Sequence, residues 1–420
     1  MHRASKIELR PTATQVKYLR RCAGTMRFVY NFLVAKWKAG EKYNRKQYQK
    51  ACSLLRQSTP WMQMVTCRAT YEAADNFDQA VQNFFRSRSR DASVHRRWNV
   101  PCFKRKGRSD SFHLCHSEQF SVQGRNLRIP CLPKNIRMRE NIRLAGTVKA
   151  VTIKLQAGKW FAIFLVETEA PSAQSATREP SVGVDFGLKS LAVLSTGETV
   201  ENPQPLRRKI RLLRRRQRQV SKKFIRGNKR QSHRCQIAQR RVARLHKKVS
   251  DQRGAALHRF TSSLVKRFDR IVIEDLNVNG MAKNRRLSRA IADASWATLR
   301  CQLEYKSRSA GVELVVADRF FASSKTCSGC GHKVERLSLA QRTFICPVCA
   351  MSMNRDLNAA INLNRHQPSI TTPPIRGSRK TRTIELRKST PSGVVGSLDG
   401  ANINLKGSPP CPNGQMVVIY

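Results

Sequence analysis

The chain has 420 residues, with 80 Lys and Arg against 27 Asp and Glu and a formal net charge of +53. So large an excess repels itself and calls for a polyanionic partner, nucleic acid being the natural one because each neutralised phosphate releases counterions. No apolar run approaches the roughly 18 residues that span a bilayer, Met1–Arg10 has no apolar leader core, and the odd count of 13 cysteines argues against a disulfide scaffold, so a reducing cytoplasmic setting is expected and a membrane partner is not.

Ser5–Leu9 alternates as a strand, and Thr12 with Gln15 then forms a capping-box pattern that opens a helix. Val16, Leu19, Ala23, Met26, Tyr30, Leu33 and Trp37 recur along it at helical spacing. Tyr71–Arg86 is also helical, with Ala74, Phe77, Val81, Phe84 and Phe85 in an apolar stripe read as core. After Arg97 the texture changes to short strands, the clearest being Val148–Leu155 and Trp160–Thr168, joined as a hairpin through Gln156–Lys159. A strand, a helical insert and more strands predict a small β-barrel interrupted by a helical lobe. Pro171–Pro180 reads as a linker.

A third region opens at Ser181, where Val182–Asp185 and Leu191–Ser195 read as adjacent strands about Gly187. Arg207–Lys248 is read as a densely basic helix without a single acid. Solvated helices ordinarily mix signs for i,i+4 pairing, so this face is expected to track nucleic acid. Its candidate contacts are Arg207, Arg208, Lys209, Arg214, Arg215, Arg216, Lys222, Lys223, Arg240, Arg241, Lys247 and Lys248. A helix over Ala255–Phe268, a strand over Arg270–Ile273 and a helix over Trp296–Ala310 follow. Beyond Asn364 the chain is basic and rich in Pro, Ser and Thr, and is expected to stay disordered.

Asp185 sits inside an apolar strand beside a glycine, Glu274 ends the β-branched run Ile271–Ile273, and Asp356 opens the small-residue segment Leu357–Ala360. A carboxylate in an apolar strand is costly unless it meets a cation. Three such acids can converge on a pair of Mg²⁺ ions, hard cations that take oxygen ligands, and so hydrolyse a phosphodiester without a nucleophilic side chain. Each acid also has a plainer use. Asp185 could brace its turn, and Asp-Phe-Gly between strands resembles the phosphate loop of actin-like ATPases, although their further Gly-rich loops are missing. Asp275 adjoins Glu274 and could be the ligand instead, since neighbours on a strand face opposite ways.

Cys327-x-x-Cys330 and Cys346-x-x-Cys349, fifteen residues apart, have the spacing of a tetrahedral Cys₄ zinc site. Four thiolates leave no open position, so the ion would be structural. The ribbon ends just before Asp356 and is expected to hold that acid in register with the other two.

With these residues in place the chain resembles the TnpB family, transposon-encoded relatives of compact type V CRISPR effectors. The likeness runs from about Ile7 to Asn364. It rests on Arg27-Phe-Val-Tyr-Asn31, Val184-Asp-Phe-Gly187, Ile273-Glu-Asp-Leu276, Asp293-Ala-Ser-Trp296, Leu303-Glu-Tyr-Lys306, Ser323-Ser-Lys-Thr-Cys-Ser-Gly-Cys-Gly331 and Arg355-Asp-Leu-Asn-Ala-Ala360. It implies a RuvC nuclease domain of RNase H-like fold over 181–322 and 351–365, with inserted helices and a zinc ribbon over 323–350. It also implies a wedge β-barrel over 1–10 and 97–170, interrupted by a helical recognition lobe over 11–96, with the basic tail over 366–420. Such a protein would carry a guide RNA derived from the transposon end and act, as a monomer by expectation, on double-stranded DNA beside a short flanking motif. Asp185, Glu274 and Asp356 fall on the family's three catalytic acids, held to bind two Mg²⁺, with one structural Zn²⁺. Asn354 departs from the pattern, since relatives commonly carry Asp there, and the motif-reading residues of about Tyr43–Asn76 have no legible match. Two other readings, a guided DNA-binding regulator without cleavage and a transposase joining transposon ends, are separated by whether DNA is cut or strands are transferred.

Overall fold

The computed structural model describes residues 2–41, 44–88, 98–107, 110–115, 120–169, 178–227, 231–338, 341–367 and 418–419. The expected disordered tail therefore lies almost wholly outside the described residues, as does most of the expected linker. The first strand after the linker, β8, begins at Glu179, two residues ahead of the expected Ser181.

The first half is one layered unit. Strand β1 (His2–Arg10) leads into α1 (Ala13–Lys38), where Thr12 Oγ1 accepts from Gln15 N and Gln15 Oε1 accepts from Thr12 N, completing the capping box. Helices α2 (Arg45–Gln57), α3 (Pro60–Gln63) and α4 (Arg68–Arg86) follow. Strands β2 (Ser111–Leu114), β3 (Ser121–Gln123), β4 (Asn126–Arg128), β5 (Ile136–Met138), β6 (Thr147–Gln156) and β7 (Lys159–Glu167) then join β1 in the order β2-β6-β7-β1-β5-β4-β3. The hairpin between β6 and β7 turns at Ala157 and Gly158, both with positive φ. Among the described residues β2 and β3, at the two ends of this path, do not pair, so hydrogen bonding does not close the expected barrel. One apolar core joins the sheet to α1 and α4 through residues such as Leu19, Val29, Phe77, Phe112, Ile153 and Phe164. The α4 stripe is only partly core: Ala74 and Phe77 are buried, whereas Phe85 faces outward. Two residues of the Arg27–Asn31 run serve as braces, Arg27 pairing with Asp110 at 2.6 Å and Asn31 bonding the Lys104 backbone in both directions.

The second half is built on a five-stranded sheet. It contains β8 (Glu179–Phe186), β9 (Ser190–Leu194), β10 (Thr199–Glu201), β11 (Phe268–Glu274) and β12 (Glu313–Ala317), in the order β10-β9-β8-β11-β12. The pairs among β8, β9 and β10 are antiparallel, and β11 is parallel to both β8 and β12. Between β10 and β11 stand α5 (Pro205–Ser221) and α6 (His233–Arg267); α7 (Val278–Met281), α8 (Ser288–Ala294) and α9 (Trp296–Ala310) precede β12. The basic segment is thus two helices, broken between Ser221 and His233 where Gly227 takes φ of +81°. In turn α6 runs unbroken through the expected gap at 249–254, because Val249, Leu257, Phe260 and Leu264 continue its buried stripe. A two-stranded ribbon, β13 (Thr343–Ile345) with β14 (Ser352–Asn354), leads directly into α10 (Arg355–Arg365); a short β15 (Val418–Ile419) lies parallel to β1.

Among the described residues no helix is long and apolar enough to cross a membrane.

Candidate carboxylate site and cysteine cluster

The three acids arrive from three elements. Asp185 is near the end of β8, Glu274 is the last residue of the adjacent parallel strand β11, and Asp356 lies in the first turn of α10. Helix α10 is held over β8 by contact at Gly183, where an added Cβ would come within 2.0 Å of Ala360 O and 2.4 Å of Asn364 N. Its ends are also fixed. Asn354 Oδ1 accepts from Asp356 N and Leu357 N, and Arg270 of β11 donates to the carbonyls of Asn364 and His366. Position 354 is therefore the helix N-cap, a place where Asn and Asp serve about equally.

Burial raises the Asp185 carboxyl well above its usual range, and the neighbouring Glu274 and Asp356 push it further, while Arg355 pulls the other way. Glu274 is raised too, chiefly by burial, although hydrogen bonds with Asp185 and Ser323 oppose this. Carboxylates this close and this poorly hydrated favour either a shared proton or a cation. Asp275 is not part of the cluster. It turns to Arg300 at 2.5 Å and Arg319 at 2.7 Å, which hold its carboxyl low despite partial burial, so the alternation along β11 separates the two neighbours.

Four cysteines form the second cluster. The sulfurs of Cys327, Cys330, Cys346 and Cys349 all lie within 4.8 Å of one another, with Cys327–Cys349 at 3.6 Å and Cys330–Cys346 at 3.5 Å. A tetrahedral site with Zn–S of about 2.3 Å has sulfur–sulfur edges of about 3.8 Å, so the set fits such an ion. Backbone amides of Cys349 and Val348 lower the Cys346 thiol, while at Cys330 the pull of the His332 backbone is outweighed by hydrogen bonds with the other three sulfurs, which raise it, so the close-set thiols titrate together. Gly331 ends the first knuckle at φ of +79°.

Sequence reasoning missed the residues that join the clusters. Ser323 Oγ donates to Glu274 Oε1 at 3.1 Å, four residues before the first cysteine. Asn358 donates to Thr326 O at 2.7 Å and accepts from Ser328 N at 2.9 Å; Asn362 donates to Ser323 O and Thr326 O. Both asparagines are buried on α10, two and six residues past Asp356. Polar residues at i and i+4 within an otherwise apolar helix face were the available signal.

Asp293 was likewise overlooked as an anchor. It is buried, accepts from the Leu206 and Arg207 amides at the start of α5, and pairs with Arg253 of α6 at 3.1 Å. It thereby supplies the cap that Gln204 lacks and ties the two basic helices to α8. Of the basic candidates, Arg207, Arg208, Arg214, Arg215, Lys222, Lys223, Arg240, Arg241 and Lys248 are exposed, and Lys209 and Arg216 are half-buried. Lys247 is partly committed, paired with Asp251 at 2.5 Å and set over the Phe161 ring. A cleft of about 1080 Å³ separates α6 from the eight-stranded sheet; its walls mix Lys6, Arg244 and Lys248 with ion pairs such as Lys159 and Arg139 to Glu8.

A family model described as "Probable transposase" matches 163–285, one described as "Cas12f1-like, TNB domain" matches 296–363, and a "Helix-turn-helix domain" model matches 1–46. A relative from Streptomyces pristinaespiralis named "Putative RNA-guided DNA endonuclease" is 34% identical over 377 residues, 86% of this chain and 88% of its own length. The chain belongs to the TnpB family. A second relative, from Escherichia coli and of the same description, is 30% identical and covers 86% of this chain and 91% of its own. "TnpB-like protein L79" from Acanthamoeba polyphaga mimivirus is 26% identical over 51% of this chain and 42% of its own. The solved "Cryo-EM structure of the Cas12f1-sgRNA-target DNA complex" aligns at 14% identity and a TM-score of 0.33, over 87% of this chain and 99% of that one. The segment matched as helix-turn-helix folds here as strand β1 and the single long helix α1, with α2 just beginning. The TnpB motif residues near Asp185 and Glu274 fall in the first matched segment, and the cysteines with Asp356 fall in the second.

Proposed function

We propose that this protein is an RNA-guided DNA endonuclease that hydrolyses the phosphodiesters of target double-stranded DNA at Asp185, Glu274 and Asp356. The observation that carries the reading is that these three acids, far apart in sequence, come near one another: Asp185 and Glu274 are both buried and within hydrogen-bonding reach, and each feels the charge of Asp356. The names of the relatives support RNA and DNA as partners. The strand order β10-β9-β8-β11-β12, antiparallel then parallel, supports the RNase H-like assignment of the second half. On that reading the eight-stranded sheet is the wedge, α1–α4 the recognition lobe, and Ser323–Ala350 the ribbon.

The donor set suits Mg²⁺: hard oxygens, a buried floor and repulsion that a divalent cation would relieve. Two such ions, when bound, would activate water and stabilise the departing oxygen. The chain's own part is positional. The register of β8 against β11 places Asp185 and Glu274 side by side, Ser323 fixes one Glu274 oxygen, and the cap and the Gly183 contact set the approach of Asp356. The cysteine cluster would hold Zn²⁺, and the Asn358 and Asn362 hydrogen bonds tie its first knuckle to the helix bearing Asp356. Exposed cations of α5 and α6 would follow nucleic-acid backbone, while base pairing with the guide selects the sequence.

The test is to purify the full chain with its bound RNA, sequence that RNA, and supply a matching duplex with Mg²⁺. Double-strand breaks that disappear in Asp185→Ala, with RNA binding retained, are expected. An intact duplex bound tightly at the matched site would leave a regulator, and a joined product would leave the transposase reading.

A further inference from the structure

Strand β12 ends at Ala317, which lies opposite Glu274 in the parallel pairing with β11, and Ser323 returns to Glu274 through its hydroxyl. The loop 318–322 thus starts and finishes at the same carboxylate. Its conformation is pinned on both sides of its centre. Arg319 donates to Asp275 at 2.7 Å; Phe321 N donates to Asp318 O at 2.9 Å, and the Phe321 ring lies 4.6 Å from the His366 ring and packs beside Val272, Val315 and Leu363.

Between these two anchored neighbours Phe320 is 93% exposed, more than any other large hydrophobic described as exposed. Scattered apolar side chains are ordinary on a surface. This one differs in that a fixed backbone presents it to solvent while its neighbour in the same sequence, Phe321, packs against the core. The Cα of Phe320 lies within about 11 Å of that of Ser323, the most that three residues can span, so its ring is within reach of a nucleotide beside the carboxylates. An open aromatic face is a platform on which unpaired bases stack without regard to sequence.

We propose that Phe320 is a positioning residue that stacks on an unpaired base of the strand being cut, next to the scissile phosphate. The proposal rests on the endonuclease reading above and deepens it, since a guide fixes which strand is bound but not where its backbone sits over the acids.

The test uses the full chain loaded with its guide RNA and a single-stranded target. Phe320→Ala should raise the apparent KM about tenfold with kcat little changed; Phe320→Trp should restore it and Phe320→Leu should not, because leucine is apolar without a π face. In parallel, 2-aminopurine placed beside the cut position should be quenched in an Asp185→Asn complex and regain fluorescence when Phe320→Ala is added. An unchanged KM in Phe320→Ala, restoration by leucine as good as by tryptophan, or equal fluorescence with and without Phe320 overturns the proposal. Should the wild-type complex cut no matched DNA, the endonuclease reading falls, while the fluorescence contrast still decides whether the ring stacks.

Discussion

Asp185 and Glu274 show how much a residue's neighbours decide its chemistry. Each is an ordinary carboxylate by type, yet burial above all, with added repulsion on Asp185 from Glu274 and Asp356 and on Glu274 from Asp356, makes the negative forms costly in the folded chain. A raised folded value means that the folded chain binds those protons more tightly than the unfolded chain does. The site's contribution to stability is therefore full below the ordinary carboxylate range near pH 4, and is lost as pH rises through the elevated folded values. Asp185→Asn removes one charge without changing shape. In magnesium-free buffer at neutral pH its urea midpoint should exceed that of the wild type, and the gap should close on acidification, while cleavage is lost. A variant less stable than the wild type at pH 7 would show that the buried charge is not what makes the site costly. Ser323→Ala removes the hydroxyl that fixes Glu274 and should cost about 1 kcal/mol of stability, the scale of one hydrogen bond, with a larger fall in cleavage rate than in DNA affinity.

At the scale of elements, α10 decides whether the third acid reaches the other two. Gly183 leaves no room for a methyl group beneath it, so Gly183→Ala must push the helix away or distort β8. Expected are a stability loss of several kcal/mol, as in overpacked cores, and loss of cleavage even though all three acids remain; a variant of wild-type melting temperature and rate would refute the contact's role. Asn354→Ala should cost about 1 kcal/mol, and Asn354→Asp close to nothing, since both native and acidic side chains can cap. The same physics decides how much of the site is legible in the sequence. An acid inside an apolar strand conflicts with its surroundings, so Asp185 and Glu274 stood out, and the cysteine spacing was itself a geometry. Ser323, Asn358 and Asn362 act through partners brought near by folding, so the motifs around Ser323 and Asn358 and the i, i+4 spacing of the two asparagines mark the residues without giving their roles. The break in the basic segment was hidden because one-sign charge looks alike in helix and loop, whereas the continuity of α6 is set by a buried stripe that the charges masked.

For the molecule as a whole, the dominant fact is a charge of +53 distributed over a fold whose ion pairs use only some of its cations. The exposed arginines on α5 and α6 carry much of this excess, and Asp293 of α8 holds both helices together, so phosphate bound along them would follow one fixed surface. If Arg214, Arg215, Arg240 and Arg241 each neutralise a phosphate of bound RNA, replacing all four by Gln should flatten the slope of log K against log salt by roughly 3, at about 0.7 per single-strand contact. The same variant should keep its fold, because all four side chains are exposed and none caps a helix. Thermal midpoints supply an independent check: bound RNA at a hundredfold excess over its Kd stabilises the wild type by about 2.7 kcal/mol, and the variant should gain less at the same concentration. An unaltered salt slope would remove these four arginines from the RNA track.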